Sequence, residues 1–279
     1  MPTLVEIDDP ADPRIDAYRD IRERDLVGRA GLFVAEGTVV VEKLVGSALH
    51  RPLSLLIAAK RLDALAPLLA PLPEDVPVFV AAQPVLDAVA GFAMHRGVLA
   101  IGRRAEAVDA DDLLARLPGR ADVLLLSGIA NHDNMGGIFR NAAAFGAAAV
   151  LLDADCCDPF YRKAIRVSVG AALLVPSARL ARGQDAPALL ARHGFEAVAL
   201  SPAGDRRLSD WRPGPRNAVL LGAEGPGLSP DLIRRTRSVR IDMAAGFDSL
   251  NVATTSGIVL HHLATTRARG VEGDAPPTS

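Results

Sequence analysis

Short apolar runs alternate with amphipathic stretches along most of the chain. LFVA (32–35), LSLLIAA (53–59), VPVFVAA (76–82) and RGVLAIG (96–102) are too short for helices and are bounded by turn formers and charges, so they predict strands. A charged amphipathic helix is expected over 15–27, and helical stretches separate the strands that follow it. These elements make a small α/β unit. Beyond residue 120 the alternation tightens into strand 122–127, helix 136–145, strand 148–153, helix 161–171 and a short LLVP strand at 173–176. Helix 186–193, strands 195–201 and 217–222, a helix from Pro230, strand 238–242 and a last helix from Leu250 through His262 complete the series. Such alternation predicts a mostly parallel sheet covered on both faces, with ligands gathering at the carboxyl ends of its strands. The stretch 106–120, with Pro118-Gly119, reads as a linker between domains 1–105 and 121–268, and the polar tail 269–279 as disordered.

Composition narrows the class. A chain of 279 residues has room for two domains, and 49% apolar with 23% charged residues is the balance of a globular protein. Net charge is −2, so any nucleic-acid footprint must be a local basic face. Lysine occurs only at 43, 60 and 163; the remaining positive charge is arginine, which suits bidentate phosphate contacts and equally suits a GC-rich codon bias. Cys156 and Cys157 are adjacent, a poor arrangement for a disulfide or a metal site. No apolar run approaches the roughly 18 residues of a membrane span, and the acidic N-terminus has no signal-peptide core. A cytoplasmic protein with no metal and no membrane attachment is expected.

The candidate chemistry falls in three segments, each at the end of an expected strand. In 131–146, Ile138, Ala142, Phe145 and Ala149 form an apolar stripe, and Arg140 points about 200° away from Ile138. Gly136 and Gly137, at the expected helix start, favour an anion there, and Arg140 could grip a phosphate or simply face water. In 222–229, Ser229, Pro230 and Asp231 begin a helix, and Glu224 stands between glycines. The spacing GxxGxG is not that of a dinucleotide-binding turn, which disfavours a Rossmann dehydrogenase. In 241–252, helix capping alone explains Ser249, whereas the Asn251 amide could serve a ligand. Thr254 to Gly257 offer a small-residue face for close packing, and His261 and His262 sit where the helix dipole would hold them. His132 and Asp133 read as loop residues. Arg162, Lys163 and Arg166 beside Phe160 and Tyr161 suit nucleic acid or a solvated helix face.

Taken in order, the three segments resemble the motifs of the SpoU (TrmH-type) branch of the SPOUT methyltransferases, RNA ribose 2′-O-methyltransferases that use S-adenosyl-L-methionine. Asn134, Gly136, Arg140, Phe145 and Gly146 match the first motif; Gly222, Glu224, Gly225, Gly227 and Leu228 the second; Ile241, Met243, Ser249, Leu250, Asn251 and Val252 the third. Asn141 stands where the family often has threonine, and Asp242 where it commonly has proline. The likeness covers 120–266, and 33–45 with 95–104 are similar to the family's L30e-like substrate-binding domain. The resemblance implies an α/β protein with a C-terminal trefoil-knotted SPOUT methyltransferase domain built on a parallel sheet, plus a small N-terminal L30e-like α/β substrate-binding domain. It further implies a homodimer with the active site at the subunit interface and ribosomal or transfer RNA as substrate. Carried over, Leu221, Gly222, Gly227, Ile241 and Leu250 hold the cofactor. Asn134, Arg140, Glu224, Ser249 and Asn251 line the reaction centre, and Arg140, Arg162, Lys163 and Arg166 meet RNA. A ribose hydroxyl is a weak nucleophile that must be held in line and relieved of its proton. Because guanidinium stays protonated, Arg140 is read as binding the adjacent phosphate and orienting the hydroxyl, with the proton leaving to that phosphate or to water. The competing readings are an antibiotic-resistance methyltransferase of the same family and a non-catalytic RNA-binding or ribosome-assembly factor, against which Asn134, Arg140, Glu224 and Asn251 argue. A metabolic α/β enzyme is disfavoured by the missing phosphate-loop and nucleophile motifs.

Overall fold

The structure is a computed structural model that describes residues 2–19, 31–91, 94 and 96–273. In chain order the strands are β1 (Leu4–Ile7), β2 (Leu32–Glu36), β3 (Arg51–Ala58), β4 (Val78–Ala81), β5 (Val98–Arg103), β6 (Ala121–Ser127), β7 (Ala149–Leu152), β8 (Ser177–Arg179), β9 (Glu196–Leu200), β10 (Arg206–Arg207), β11 (Arg216–Gly222) and β12 (Arg237–Arg240). The α-helices are α1 (Thr38–Val45), α2 (Ala66–Leu69), α3 (Gln83–Ala90), α4 (Ala110–Ala115), α5 (His132–Ala144), α6 (Arg162–Val167), α7 (Ala186–Arg192), α8 (Pro230–Arg234) and α9 (Val252–Gly273). Contacts divide the chain into two compact units, the first comprising Met1–Glu106 and Pro159–Leu174, the second Ala107–Asp158 and Val175–Ser279.

The first unit is a mixed sheet in the order β1-β4-β3-β5-β2, with β1, β4 and β3 parallel and β5 antiparallel to β3 and β2. The expected helix over 15–27 is not formed at its start, where a 3₁₀ helix spans Pro13–Tyr18; its remainder falls on 20–30, outside the described residues. Asp12 caps that turn by accepting from the Arg14 amide, and Ile15 and Tyr18 are buried. Of the LLVP segment expected as a strand at 173–176, Leu173 ends a 3₁₀ helix at Ala171–Leu173 and Leu174 to Pro176 form a turn; the segment straddles the division between the units at Leu174, which leaves no run long enough for a strand. The strand begins only after Pro176, which has no N–H to give a ladder.

The second unit is an all-parallel sheet in the order β10-β12-β9-β11-β6-β7-β8. Successive residues of a strand face opposite sides, so Val123 and Leu125 pack with Leu113, Leu114, Leu189 and Leu190 of α4 and α7, while Leu124 and Leu126 face the other way. On that second face α5 and α9 cross each other, α5 against β7 and α9 against β11. Burial on both faces is why these strands read as continuous apolar runs. Segment 106–120, expected as a linker, carries α4, capped by Asp109 at 2.7 Å from the Asp111 amide, with Ala110 and Leu114 in the second core. Helix α9 runs to Gly273, into the stretch expected to be disordered, and Arg267 ties it to buried Asp122 at 2.6 Å. Among the described residues no helix is long and apolar enough to cross a membrane, and no cluster of side chains could hold a metal.

Candidate active site

Strands β6, β9, β11 and β12 are parallel, so their carboxyl ends share one edge, and the three motif segments and the Ser201-Pro202 turn all leave from it. After β6, Asn131 caps α5 by accepting from the amides of Asp133 and Asn134 at 2.8 and 3.4 Å. Helix α5 therefore starts at His132. His132 and Asp133 are its first residues rather than loop residues, and Gly136 and Gly137 lie inside it rather than at an anion-binding start. The capped start places Asn134 in the first turn, 6% exposed.

The loop after β11 doubles back on itself. A Cβ on Gly222 would lie 2.3 Å from the backbone of Gly227 and Leu228, and the Gly227 amide donates to the Ala223 carbonyl at 3.0 Å. Gly225 and Gly227 adopt φ of 87° and 67°, which glycine adopts freely. Glu224 projects from this tight loop, and Ser229 caps α8 as expected.

The third segment corrects an expectation. Asn251, not Ser249, caps α9, its Oδ1 accepting from the amides of Ala253 and Thr254 at 2.9 and 3.2 Å. Ser249 Oγ bonds Asp248 at 3.2 Å. With Oδ1 on the helix, the Asn251 amide nitrogen faces the other two segments. It donates to Asn134 Oδ1 at 2.8 Å and to Glu224 Oε1 at 3.1 Å, and Asn134 Nδ2 donates to the same Oε1 at 2.7 Å. One side chain from each segment thus closes a hydrogen-bonded triangle, which satisfies both amides and leaves Glu224 Oε2 available.

Beside the triangle is a cavity of about 680 Å³. Leu221, Gly222, Gly227, Ile241 and Leu250, the residues expected to hold a cofactor, all line it, as do Glu224, Ser249 and Asn251. Ser201, Pro202 and Thr255 line it too and were missed. The position of Ser201-Pro202 after a parallel strand was the signal available for the first pair. Asp242, where the family commonly has proline, lies between Arg207 and Arg240, which reach it at 3.3 and 3.2 Å.

Arg140 is not part of this assembly. It is exposed on α5, makes no hydrogen bond or ion pair within the described residues, and does not line the cavity. Arg162, expected to meet RNA, is bound to buried Glu36 at 2.9 Å in the first unit; Lys163 and Arg166 are exposed on α6 in that unit. His261 and His262 lie within α9 rather than at its end. His262 stacks on Trp211 with ring centroids 5.8 Å apart, and His261 packs edge-on to Phe145.

A parallel α/β domain whose strand-end loops bring three polar side chains together beside a cavity of about 680 Å³ has the arrangement of a small-molecule binding site. Residues 121–261 match the SpoU rRNA Methylase family. An uncharacterised tRNA/rRNA methyltransferase of Mycobacterium bovis is 39% identical over 265 residues, 92% of this chain and 90% of that protein. The fold is shared with the AdoMet-bound rRNA methyltransferase of Sinorhizobium meliloti at a TM-score of 0.76 and 22% identity, covering 95% of this chain and 98% of that one. It is shared also with an RNA 2′-O ribose methyltransferase at a TM-score of 0.73 and 22% identity, covering 95% and 100%. The chain belongs to the SpoU rRNA methylase family and is an RNA methyltransferase of that family.

Proposed function

We propose that the protein transfers a methyl group from S-adenosyl-L-methionine to a ribose 2′-hydroxyl of ribosomal or transfer RNA. The observation that carries this reading is the triangle of Asn134, Glu224 and Asn251, drawn from three distant segments, at the wall of the cavity lined by Gly222, Ile241 and Leu250. The names of the two structural neighbours, one AdoMet-bound and one a 2′-O ribose methyltransferase, support the cofactor and the ribose target.

The residues fit the cofactor. The cavity is within the roughly 300–1,000 Å³ of small-molecule sites. Leu221, Ile241 and Leu250 give it apolar walls, and the strand-end backbone offers N–H and C=O groups. The bound cofactor would supply a methyl group made electrophilic by its sulfonium. Glu224 and the two amides would fix the approach of the ribose, with Glu224 and Ser249 among the residues that line the cavity. Arg140, six residues beyond Asn134 and so roughly 9 Å further along the helix axis, lies outside its own chain's cavity. This supports an active site completed at the interface of a homodimer, where Arg140 of one copy grips the RNA phosphate next to the hydroxyl while the proton passes to phosphate or water. The trefoil knot, whose loops would carry Gly222, Ile241 and Leu250 to the cofactor, belongs to the same reading, as does an RNA-holding first domain.

Incubation with methyl-labelled S-adenosylmethionine and total RNA from a strain lacking the gene, then alkaline hydrolysis, tests the proposal. Label is expected in alkali-resistant dinucleotides, because a 2′-O-methyl group blocks attack on the neighbouring phosphodiester. Label in mononucleotides, or in no RNA, would overturn it. Replacing Arg140 by lysine is expected to lower transfer strongly; near-normal transfer would sink the bidentate role.

A further inference from the structure

At one edge of the first sheet three strand ends meet. Glu36 ends β2, Ala58 ends β3, and Val98 begins β5, which is antiparallel to both. The Gly37 amide donates to the Val98 carbonyl and the Ala58 amide to the Gly97 carbonyl, each at 3.0 Å. Both glycines have positive φ, 89° and 63°. Each leaves room that an arginine occupies. A Cβ on Gly37 would lie 2.8 Å from Cδ and 3.1 Å from Nη1 of Arg96, and one on Gly97 would lie 3.1 Å from Cγ of Arg61. Arg61 then extends Nη2 to 3.5 Å from Thr38 Oγ1.

Two guanidinium groups therefore converge on Gly37 and Thr38, the cap and first residue of α1. Glycine supplies no capping side chain, and a helix N-terminus is itself partially positive. Arg61 Nε is buried with no hydrogen-bond partner. Among the described residues neither arginine is in an ion pair, nor is Lys60, which precedes Arg61 and is exposed. The adjoining carboxylate, Glu36, is 6% exposed and already bound by Arg162 at 2.9 Å. Like charges gathered at a positive helix end, with an orphaned donor and no carboxylate, are unfavourable until an anion joins them. The group that suits two planar forks, a hydroxyl and the Thr38 and Val39 amides of the first turn is a phosphate.

We propose that this edge, formed by Gly37, Thr38, Arg61, Arg96 and Gly97, binds a backbone phosphodiester of the RNA substrate. The proposal rests on the RNA-methylating reading above and adds where the first unit takes hold. Phosphate contacts carry no sequence information, so this site fixes register and the strand-end site selects the hydroxyl.

The test measures binding of the full chain to a methylatable RNA by fluorescence anisotropy across a salt series, for the wild type and for Arg61→Gln with Arg96→Gln. Affinity is expected to fall about tenfold at low salt, and the slope of log affinity against log salt to become shallower by roughly one. Affinity for S-adenosylmethionine should not change. A wild type that methylates RNA while the double variant matches it in affinity and slope overturns this site alone; a wild type that neither binds nor methylates RNA overturns both readings. Where the glutamine pair does not fold, Arg61→Lys and Arg96→Lys keep charge and stem. They should keep the salt slope but bind RNA several-fold more weakly, and unchanged affinity would overturn the bidentate contact.

Discussion

Asn251 performs two tasks with one amide group, and substitutions separate them. Its oxygen caps α9 while its nitrogen joins Asn134 and Glu224. Asn251→Asp keeps the cap but sets a carboxylate against Glu224. Methyl transfer should fall on the order of 10²-fold while the cap holds. Asn251→Ala loses the cap as well and should cost about 1 kcal/mol in urea unfolding. Equal activity in the aspartate variant and the wild type would show that the triangle is only a helix cap. Gly222 is constrained differently. Its added Cβ would meet backbone at 2.3 Å, which no side-chain rotation relieves, so Gly222→Ala should move the loop that carries Glu224 and abolish cofactor binding by calorimetry.

Among the elements, the crossing of α5 and α9 decides where the triangle forms. Gly137 lets the helices approach until a Cβ there would be 2.7 Å from that of Ala253. Asn141 then bonds the Ala253 carbonyl at 2.7 Å and Ser256 Oγ at 2.9 Å, and it lies close against Gly257. The small-residue face of 254–257 was legible in the sequence, but its partner was not, since Asn141 lies over a hundred positions away. Asn141→Ala should destabilise the chain by roughly 1–3 kcal/mol, because the Ala253 carbonyl and Ser256 hydroxyl each lose a hydrogen bond at this tight crossing and keep only the one between them. It should also raise the KM for cofactor by loosening the start of α9. A KM unchanged at reduced stability would confine Asn141 to packing. The helix starts were misplaced because Gly136 and Ser249 look like boundaries, while the Asn251 amide, read as serving a ligand, caps α9 and Asn131, three residues before the first motif, caps α5.

At the scale of the molecule, the buried histidine of the first unit links folding to pH. His50 packs between Phe33 and Phe160, with ring centroids 5.5 and 4.9 Å away, and accepts from the Ala105 amide at 3.1 Å. Burial, reinforced by the charge of Arg104, pushes its pKa down from 6.5 to about 4. Between those values the unfolded chain binds a proton that the folded chain refuses. The contribution is therefore complete above pH 6.5, declines as pH falls towards 4, and is constant below. Urea unfolding at pH 7.5 and 5 should show this loss in the wild type and a smaller one in His50→Phe; equal losses would assign the effect to other groups.

The sequence by itself determined the strands β6, β7, β9, β11 and β12 of the second unit and most of the motif residues that line its cavity. Leu221, Gly222, Glu224, Gly227, Ile241, Ser249, Leu250 and Asn251 all meet at one cavity because apolar runs, glycines and strand ends are local features. Only the tertiary structure decided that Asn134 joins Glu224 and Asn251 while Arg140 does not, that α4 belongs to a core rather than a linker, and that Arg162 answers Glu36. Those outcomes depend on helix rotation and on charges far apart in the chain. Periodicity fixes which face of an element is buried; the geometry of packing fixes what that face meets.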